Sequence, residues 1–254
     1  MTVLSSGRSV DRLRPIYRLY RWAWAGLDWL FPPRCGGCGR AGARWCHNCQ
    51  DRVSLIVPPL CVKCGRSLSA AGRCPACRAS QLPYQALRSW AIYDGPLRNA
   101  IRRLKYAGDM TLGELLARPM IRMLHELEWV VEVVTPVPLG VTRQAQRGYN
   151  QSALLAFPLA LSSNLAYRSQ ALIKVREVRS QVGLSLAERF DNVAGAFQAN
   201  PKVVSGKTIL VVDDVATSGA TMQACAVALQ EAGARQVYGL TLARADHPEQ
   251  WLTR

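Results

Sequence analysis

Two adjacent carboxylates, Asp213 and Asp214, end the apolar run over residues 208–214, which has the composition of a buried strand. In an open parallel sheet, ligands bind beyond the carboxyl ends of the strands, and these acids stand at such an end. Carboxylates in this place can accept hydrogen bonds from a pair of vicinal hydroxyl groups, as on a ribose. The acid pair alone is a weak signal, because acidic residues often cap a helix that follows a strand.

The residues after the acids strengthen the signal, because they have the composition of a phosphate-binding loop. Residues 215–221 carry three hydroxyl side chains and lead into a helix predicted over residues 222–232. Free N–H groups at a helix start, together with hydroxyl groups, suit one phosphate dianion. The acids and the loop together predict a site for a ribose 5-phosphate.

The same segment predicts the fold around the site. Gly233 ends the predicted helix, and residues 236–243 form the next predicted strand. A strand, a loop, a helix and a further strand in this order form a parallel pair with a right-handed crossover. Further strands are predicted over residues 130–134 and, as a candidate, 172–175. We therefore predict an α/β fold with a parallel sheet of about five strands.

A second chemical feature is a dense cluster of cysteines. Each Cys-x-x-Cys pair places two thiolates on one tight turn, and two such turns supply the four ligands of a tetrahedral zinc site. Eight of the nine cysteines form four such pairs: Cys35/Cys38, Cys46/Cys49, Cys61/Cys64 and Cys74/Cys77. Sequential pairing makes two ribbons, and interleaved pairing (first with third, second with fourth) satisfies the same chemistry. Two sets of four cysteines predict two zinc ions. Because the protein fills every ligand position, we expect both ions to be structural.

The charge of the chain is unevenly distributed. The chain has 254 residues and a formal net charge of +15, and its 49% hydrophobic content is ordinary for a globular protein, which excludes a disordered or fibrous chain. Residues 1–80 hold 13 basic and three acidic side chains. This excess favours an anionic partner such as phosphate, nucleic acid or a membrane surface. We predict an amphipathic N-terminal helix within residues 1–30, a double zinc ribbon over 31–80 (the zinc head) and an α/β domain over 81–254.

Apolar residues spaced by three and four over residues 11–31 predict that amphipathic helix, which ends at Pro32-Pro33. Two interpretations stay open: the helix docks on its own protein, or its arginines and tryptophans contact phosphates, bases or lipid headgroups. No apolar run approaches the roughly 20 residues that a membrane span needs. Arginines interrupt the N-terminal segment, which does not resemble a signal peptide. The expected location is the cytoplasm, where thiols stay reduced and bind metals.

Basic residues recur in two segments that precede the acid pair. Arg143 and Arg147 follow the strand over 130–134, and Asn150 with Ser152 can cap the helix after them. The second segment follows residues 172–175 and contains Lys174, Arg176, Arg179 and Gln181. By composition alone, both segments fit either an anion site or a solvated loop. Lys105 stands beside Arg102 and Arg103, which together predict a basic surface face.

The string VVDDVATSGAT resembles the phosphoribosyl pyrophosphate (PRPP) signature of type I phosphoribosyltransferases. The four Cys-x-x-Cys pairs ahead of it narrow the resemblance to the ComF/GntX family. The similarity extends over about residues 27–244 and includes the segments Leu104-Lys105-Tyr106, Pro136-Val137-Pro138-Leu139, Arg147-Gly148-Tyr149-Asn150-Gln151 and Ala196-Phe197.

This resemblance implies a type I phosphoribosyltransferase fold behind a zinc ribbon whose ligands are all cysteines, and it assigns roles to the motifs. By this resemblance, Asp213 and Asp214 would hold the 2- and 3-hydroxyls of PRPP and stabilise positive charge at the anomeric carbon. By the same resemblance, Mg²⁺ would bind together with PRPP at its pyrophosphate and hydroxyls, since a hard cation prefers oxygen ligands. The phosphate loop consists of Ala216, Thr217, Ser218, Gly219, Ala220 and Thr221, and the pyrophosphate contacts come from Arg143, Arg147, Arg176 and Arg179.

The acceptor of the ribosyl group is not marked by any recognisable segment, so three hypotheses stay open. The first is a phosphoribosyltransferase that acts on a base, a nucleotide or a nucleic-acid fragment. The second is a non-catalytic PRPP sensor. The third is a DNA-processing partner that uses the zinc head to bind single-stranded DNA. The resemblance implies an association with DNA uptake, for example with a competence helicase, or with DNA use as a nutrient.

Overall fold

The computed structural model describes residues 15–30, 33–178 and 185–245. The seven strands of these residues are β1 (Ala86–Ile92), β2 (Val133–Pro136), β3 (Ala166–Tyr167), β4 (Leu172–Lys174), β5 (Phe197–Ala199), β6 (Thr208–Ala216) and β7 (Gln236–Arg244). The ten helices are α1 (Pro15–Leu30), α2 (His47–Asp51), α3 (Pro75–Ala79), α4 (Gly95–Tyr106), α5 (Leu112–Glu126), α6 (Val141–Arg147), α7 (Gln151–Ser163), α8 (Leu186–Val193), α9 (Pro201–Val204) and α10 (Ala220–Glu231).

The main sheet has five strands in the order β1-β7-β6-β2-β3, and all neighbouring pairs are parallel. The predicted α/β fold with a parallel sheet is therefore confirmed. β6 extends two residues past the predicted end, and β2 begins at Val133 rather than at residue 130, because its pairing with β6 starts opposite Ile209. β4 lies outside this sheet and pairs antiparallel with β5.

Helices cover both faces of the sheet, and the side chains of β6 are buried on both faces. Its side chains alternate: Leu210 and Val212 face the core beneath α5 and α7, whereas Ile209 and Val211 face the core beneath α10. All four side chains are fully buried, as expected for a parallel strand covered on both faces. Cys225 on α10 belongs to the second core, which fits the expectation of a small core residue.

The zinc head covers the open edge of β1. Leu55 forms an antiparallel bridge with Ala91, and the amide of Ile92 donates to the carbonyl of Ser54 at 2.8 Å. At the other end of the strand, the amide of Leu87 donates to the carbonyl of Lys63 at 2.7 Å. An uncovered edge strand presents free backbone groups that pair with other chains. The head therefore supplies hydrogen-bond partners to the edge strand and is joined to the sheet through the backbone.

The N-terminal helix docks on its own protein, in agreement with one of its two interpretations. Tyr17 of α1 is buried and donates to a carboxylate oxygen of Glu114 on α5 at 2.9 Å. The opposite side of α1 leaves Ile16, Leu19 and Trp22 exposed. Residues 11–14 and 31 of the predicted helix lie outside the described residues. Among the described helices, none combines the length and the apolar character that a membrane crossing needs.

Candidate functional site

A cavity of about 590 Å³ opens beyond the carboxyl ends of β2, β6 and β7. This is the place at which an open parallel sheet binds its ligand. Five basic and two acidic side chains line the cavity, so its charge favours an anion. The charged residues of the lining are Lys105, Arg143, Arg147, Lys174, Arg189, Asp213 and Asp214.

Asp213 lines the cavity, and two donors hold one of its carboxylate oxygens. That oxygen, Oδ1, accepts from the hydroxyl of Ser152 at 2.7 Å and from the amide of Asp214 at 2.9 Å. Burial, and then the neighbouring carboxylate of Asp214, raise the pKa of Asp213 to about 7. Asp213 can therefore change its protonation state near neutral pH.

Asp214 forms a buried ion pair with Lys105. Its Oδ2 lies 2.8 Å from the Lys105 ammonium, and the two side chains are only 3% and 19% exposed. Burial disfavours the ammonium, but the ion pair outweighs burial and holds the pKa of Lys105 above its ordinary value. The predicted basic surface face at Lys105 is therefore wrong. The residues next to Lys105 in the sequence did not predict this ion pair, because Asp214 lies on β6, far along the chain.

The phosphate loop opens α10 two residues earlier than predicted. Gly219 precedes the helix in a left-handed conformation with φ of +86°, which a side chain would strain. The hydroxyl of Ser218 accepts from the amide of Ala220 at 3.3 Å. Of the six predicted loop residues, five line the cavity and Ser218 does not. The lining members are Ala216, Thr217, Gly219, Ala220 and Thr221.

The predicted pyrophosphate contacts divide into three groups. Arg143 and Arg147 line the cavity from α6, together with Lys174 from β4. Arg176 does not line it; its guanidinium donates to the backbone carbonyls of Asn192 at 3.1 Å and Ala194 at 2.7 Å. Arg179 lies outside the described residues, as does Gln181.

Ser152 is a site residue whose role the sequence did not reveal. The side chain of Asn150 caps α7 by accepting from the amides of Ser152 and Ala153, in agreement with the predicted cap. The hydroxyl of Ser152 is turned to Asp213 instead, and the residue is fully buried. A serine in the first turn of a helix is common, so only this contact distinguishes it from other capping residues.

The eight predicted zinc ligands form two clusters, and the pairing is sequential. One contains Cys35, Cys38, Cys46 and Cys49, and the other contains Cys61, Cys64, Cys74 and Cys77. In each, the four sulfur atoms lie within 4.8 Å of one another, which suits a tetrahedral zinc ion. The interleaved alternative is thereby eliminated. His47 belongs to neither cluster and pairs with Asp51 on α2.

Backbone amides favour the thiolate form of one sulfur in each cluster. The amide of Cys46 donates to the sulfur of Cys35 at 3.4 Å, and that of Cys74 donates to Cys61 at 3.3 Å. Burial opposes ionisation, but amide donors such as these lower the pKa of Cys35 and of Cys61 to about 6. Burial raises the pKa of Cys49, Cys64 and Cys77, so a zinc ion must displace their protons when it binds, whereas one thiolate in each cluster is available beforehand.

Arginines of the α/β domain hold the second zinc cluster in place. Arg244, at the end of β7, is buried and donates to the carbonyl of Cys64. Arg88 of β1 donates to the carbonyls of Cys61 at 3.4 Å and Val62 at 3.1 Å. Zinc with four thiolates carries net negative charge, so nearby guanidinium groups stabilise the loaded centre.

Comparison with known families finds two matches along the chain. Residues 26–78 match the family described as double zinc ribbon domain, and residues 113–253 match the phosphoribosyl transferase domain. The fold and the two clusters thus define a double zinc ribbon joined to a type I phosphoribosyltransferase domain. This class was the one predicted from the sequence.

Relatives that match most of the chain identify the family within this class. The chain is 32% identical to DNA utilization protein YhgH of Salmonella typhimurium over 83% of this chain and 89% of that protein. It is 28% identical to Competence protein F of Haemophilus influenzae over 79% of this chain and 90% of the relative. Competence protein ComFC of Bacillus subtilis shares 26% identity over 79% and 84% of the two chains. The chain belongs to the ComF/GntX family.

Proposed function

We propose that the protein binds PRPP with Mg²⁺ in the cavity and transfers its ribosyl 5-phosphate group to an acceptor. The observation that carries the proposal is the acid pair at the end of β6, next to a phosphate loop that opens α10. Carboxylates for two hydroxyls and amides for one phosphate are the two halves of a ribose 5-phosphate site. The same cavity adds basic side chains for a second anionic group.

The charged residues of the cavity have different roles in the proposed transfer. The bond between the anomeric carbon and the pyrophosphate oxygen breaks, and the acceptor supplies the electron pair for the new bond. Asp213 accepts a hydrogen bond from a ribose hydroxyl and stabilises positive charge that develops on the sugar. Lys105 pairs with Asp214 and holds its carboxylate in a fixed direction. Arg143, Arg147 and Lys174 neutralise the departing pyrophosphate, and Mg²⁺, when bound, adds further charge neutralisation there.

Names of relatives supply the cellular context of the proposal. Two are called competence proteins, and a third is called a DNA utilization protein. We infer that this chain likewise acts in DNA uptake or in the use of DNA as a nutrient. We place it in the cytoplasm, where reduced thiols can hold zinc.

The experiment that tests the proposal is a pyrophosphate assay with PRPP, Mg²⁺ and a panel of bases and oligonucleotides. Release of pyrophosphate that depends on one acceptor supports the transferase. Binding of PRPP without release under every acceptor supports the non-catalytic sensor instead. Failure of PRPP to bind at all contradicts both, because they require the same site.

The pKa of Asp213 predicts how PRPP binding depends on pH. The hydroxyl donates to an ionised carboxylate, whereas in the free protein Asp213 is protonated below about pH 7. Affinity should therefore fall by up to about tenfold for each pH unit below that value and level off above it. Calorimetry across this range is the measurement. In Asp213→Asn, the affinity should depend on pH only through the titration of the ligand's phosphates. If the variant and the wild type show the same pH dependence, Asp213 does not bind the ribose hydroxyl.

A second candidate function is binding of single-stranded DNA by the zinc head. The observation that favours it is a set of exposed arginines on the described part of the head: Arg34, Arg40, Arg52, Arg73 and Arg78. Each phosphate contact releases counterions, which makes such binding weaken steeply with salt. Since the head pairs with β1 through its backbone, the test uses the full chain.

Replacing four head arginines by glutamine should weaken DNA binding and flatten its salt dependence by about 0.7 log units for each phosphate that is no longer neutralised. The variant carries Arg34→Gln, Arg40→Gln, Arg73→Gln and Arg78→Gln. A control of equal charge changes four exposed arginines of the α/β domain: Arg98, Arg102, Arg122 and Arg168. Anisotropy with a labelled oligonucleotide across a salt series compares them. An equal decrease in affinity in both variants would show that net charge alone drives binding.

A further inference from the structure

The two cysteine clusters have the same ligand set but differ in how far solvent reaches their sulfurs. In the second cluster, all four cysteines are buried, with exposed fractions between 0% and 9%. In the first cluster, Cys35 and Cys49 are equally buried, whereas Cys38 is exposed and Cys46 is half-buried. The Sγ atoms of Cys38 and Cys46 lie 3.7 Å apart. Two neighbouring sulfurs of the first cluster are therefore open to a small reactant in water.

The second cluster is closed by its contact with β1. Its turn packs so tightly against the strand that a β-carbon on Gly65 would lie 2.4 Å from the carbonyl oxygen of Leu87. The Sγ atoms of Cys64 and Cys74 are 3.8 Å apart, nearly the same separation as in the first cluster, yet both residues are buried. The two pairs thus match in the distance between their sulfurs and differ in accessibility.

The first cluster is anchored on its inner side and open on its outer side. The guanidinium of Arg103 on α4 donates to the carbonyl of the buried Cys35 at 3.0 Å. On the outer turn, a β-carbon on Gly39, next to Cys38, would have no atom within 4 Å among the described residues beyond its chain neighbours. A disulfide requires its two sulfurs to approach to about 2.05 Å. The outer turn has the room for this movement.

We propose that Cys38 and Cys46 form a site of reversible oxidation by hydrogen peroxide, and that their disulfide opens the first cluster and leaves the second intact. Oxidants select sulfurs that combine thiolate character with exposure. Zinc ligands are thiolates in both clusters, so exposure decides between them. Only Cys35 and Cys49 remain as ligands in the first cluster once the disulfide has formed, whereas structural zinc requires four.

The oxidation proceeds in two steps. The thiolate of Cys38, the more exposed sulfur, attacks one peroxide oxygen and breaks the O–O bond, which gives a sulfenic acid and hydroxide. The thiolate of Cys46 then attacks this sulfur, so that the S–S bond forms and a second hydroxide leaves. Two protons from solvent convert both hydroxides to water. The two electrons that the sulfurs lose reduce the peroxide.

The test treats the full-length, zinc-loaded protein with hydrogen peroxide. A weak chromogenic indicator reports the released zinc, and mass spectrometry of the digested protein identifies the disulfides. We expect release of one of the two zinc ions, a disulfide between Cys38 and Cys46, and reduced thiols throughout the second cluster. A thiol reductant with added zinc should restore the second ion, because a disulfide is reversible and the higher oxides of cysteine are not.

Histidine variants separate the exposed pair from the zinc site itself, because imidazole also binds zinc. Cys38→His keeps four ligands but removes one sulfur of the pair, and it should retain both ions at the peroxide concentration that empties the first cluster of the wild type. Cys46→His tests the other sulfur in the same way. Cys74→His makes the matched change in the second cluster and should leave release from the first unchanged. Zinc analysis before oxidation establishes that each variant is loaded.

Several outcomes overturn the proposal. Simultaneous release of both ions would show that exposure does not select between the clusters. A disulfide between Cys35 and Cys49, or oxidation without any disulfide, would remove the exposed pair as the reacting site. Release that is as fast in Cys38→His and Cys46→His as in the wild type would have the same meaning. Retention of both ions in a large excess of peroxide would show that the first cluster is not an oxidation site.

Discussion

Removal of both zinc ions is expected to unfold the zinc head and to expose the edge of the main sheet. Binding of structural zinc contributes roughly 10–16 kcal/mol to the folding of a small domain, and the buried cluster around the second centre consists of its four cysteines with only Leu68 and Leu82 packed against them. The head contributes the carbonyls of Ser54 and Lys63 to β1. Metal analysis should find two zinc ions per chain, and chelation should lower the thermal unfolding temperature and promote aggregation through the free edge.

Amide hydrogen exchange locates the effect. The amides of Leu87 and Ile92 should lose protection on chelation, because their acceptors belong to the head. The amide of Val211, in the centre of the sheet on β6, should retain it. Unchanged protection of Leu87 and Ile92 would show that the head does not support the edge.

Cysteine variants separate the two centres. Cys38→Ser and Cys74→Ser each remove one ligand, from the first and the second centre respectively, and should each reduce the zinc content by one ion. Cys225→Ala removes a thiol that belongs to neither cluster and should keep both ions. A single zinc ion in the wild-type protein would contradict the two-centre structure.

Loss of the carboxylate of Asp213 is expected to weaken the binding of PRPP with Mg²⁺ by about 10- to 100-fold. A hydrogen bond to a charged group contributes about 1.5–3 kcal/mol, and the asparagine amide replaces only part of it. Asp213→Asn keeps an oxygen for the hydroxyl of Ser152, so the local structure should persist. Calorimetry measures the affinity, and zinc content should stay unchanged. Equal affinity of the variant and the wild type would remove Asp213 from the site.

Stability measurements provide an independent check on the same variant. The pKa of Asp213 is about 7 in the folded state, well above its ordinary value in the unfolded chain, so ionisation of Asp213 destabilises the folded state. This destabilisation develops as the pH rises from the ordinary pKa of an aspartate to about 7. Asp213→Asn removes this destabilisation. The variant should therefore gain stability relative to the wild type at about pH 8 and gain less at about pH 5.

Asp214→Asn is expected to behave differently, because it leaves the Lys105 ammonium buried without its partner. Breaking a buried ion pair by removing one member costs about 3 kcal/mol of stability. Lys105→Met combined with Asp214→Asn removes both charges and should restore much of that loss. Denaturant unfolding of the two single variants and the double variant measures the coupling. Additive effects would contradict the ion pair at the end of β6.

The features that the sequence determined are those whose chemistry lies within one short segment. Each Cys-x-x-Cys turn brings two sulfurs together by itself, and the phosphate loop is a strand end, a turn and a helix start in continuous sequence. The apolar run over residues 208–214 and the glycine at position 233 likewise predicted β6, α10 and β7 to within two residues. Local geometry decides such elements, so the residue order is enough to predict them.

Tertiary structure alone decided how these segments meet. The hydroxyl of Ser152 on Asp213 and the ion pair of Lys105 with Asp214 join residues that are distant in the chain. The choice between sequential and interleaved pairing of the cysteines likewise depended on how the four turns fold together. Arg176 shows the converse, since its charge suggested an anion site but its guanidinium is occupied by backbone carbonyls. A side chain's partner depends on the packing of distant elements and on the free energy of burying its charge, and neither is encoded in the spacing of its neighbours.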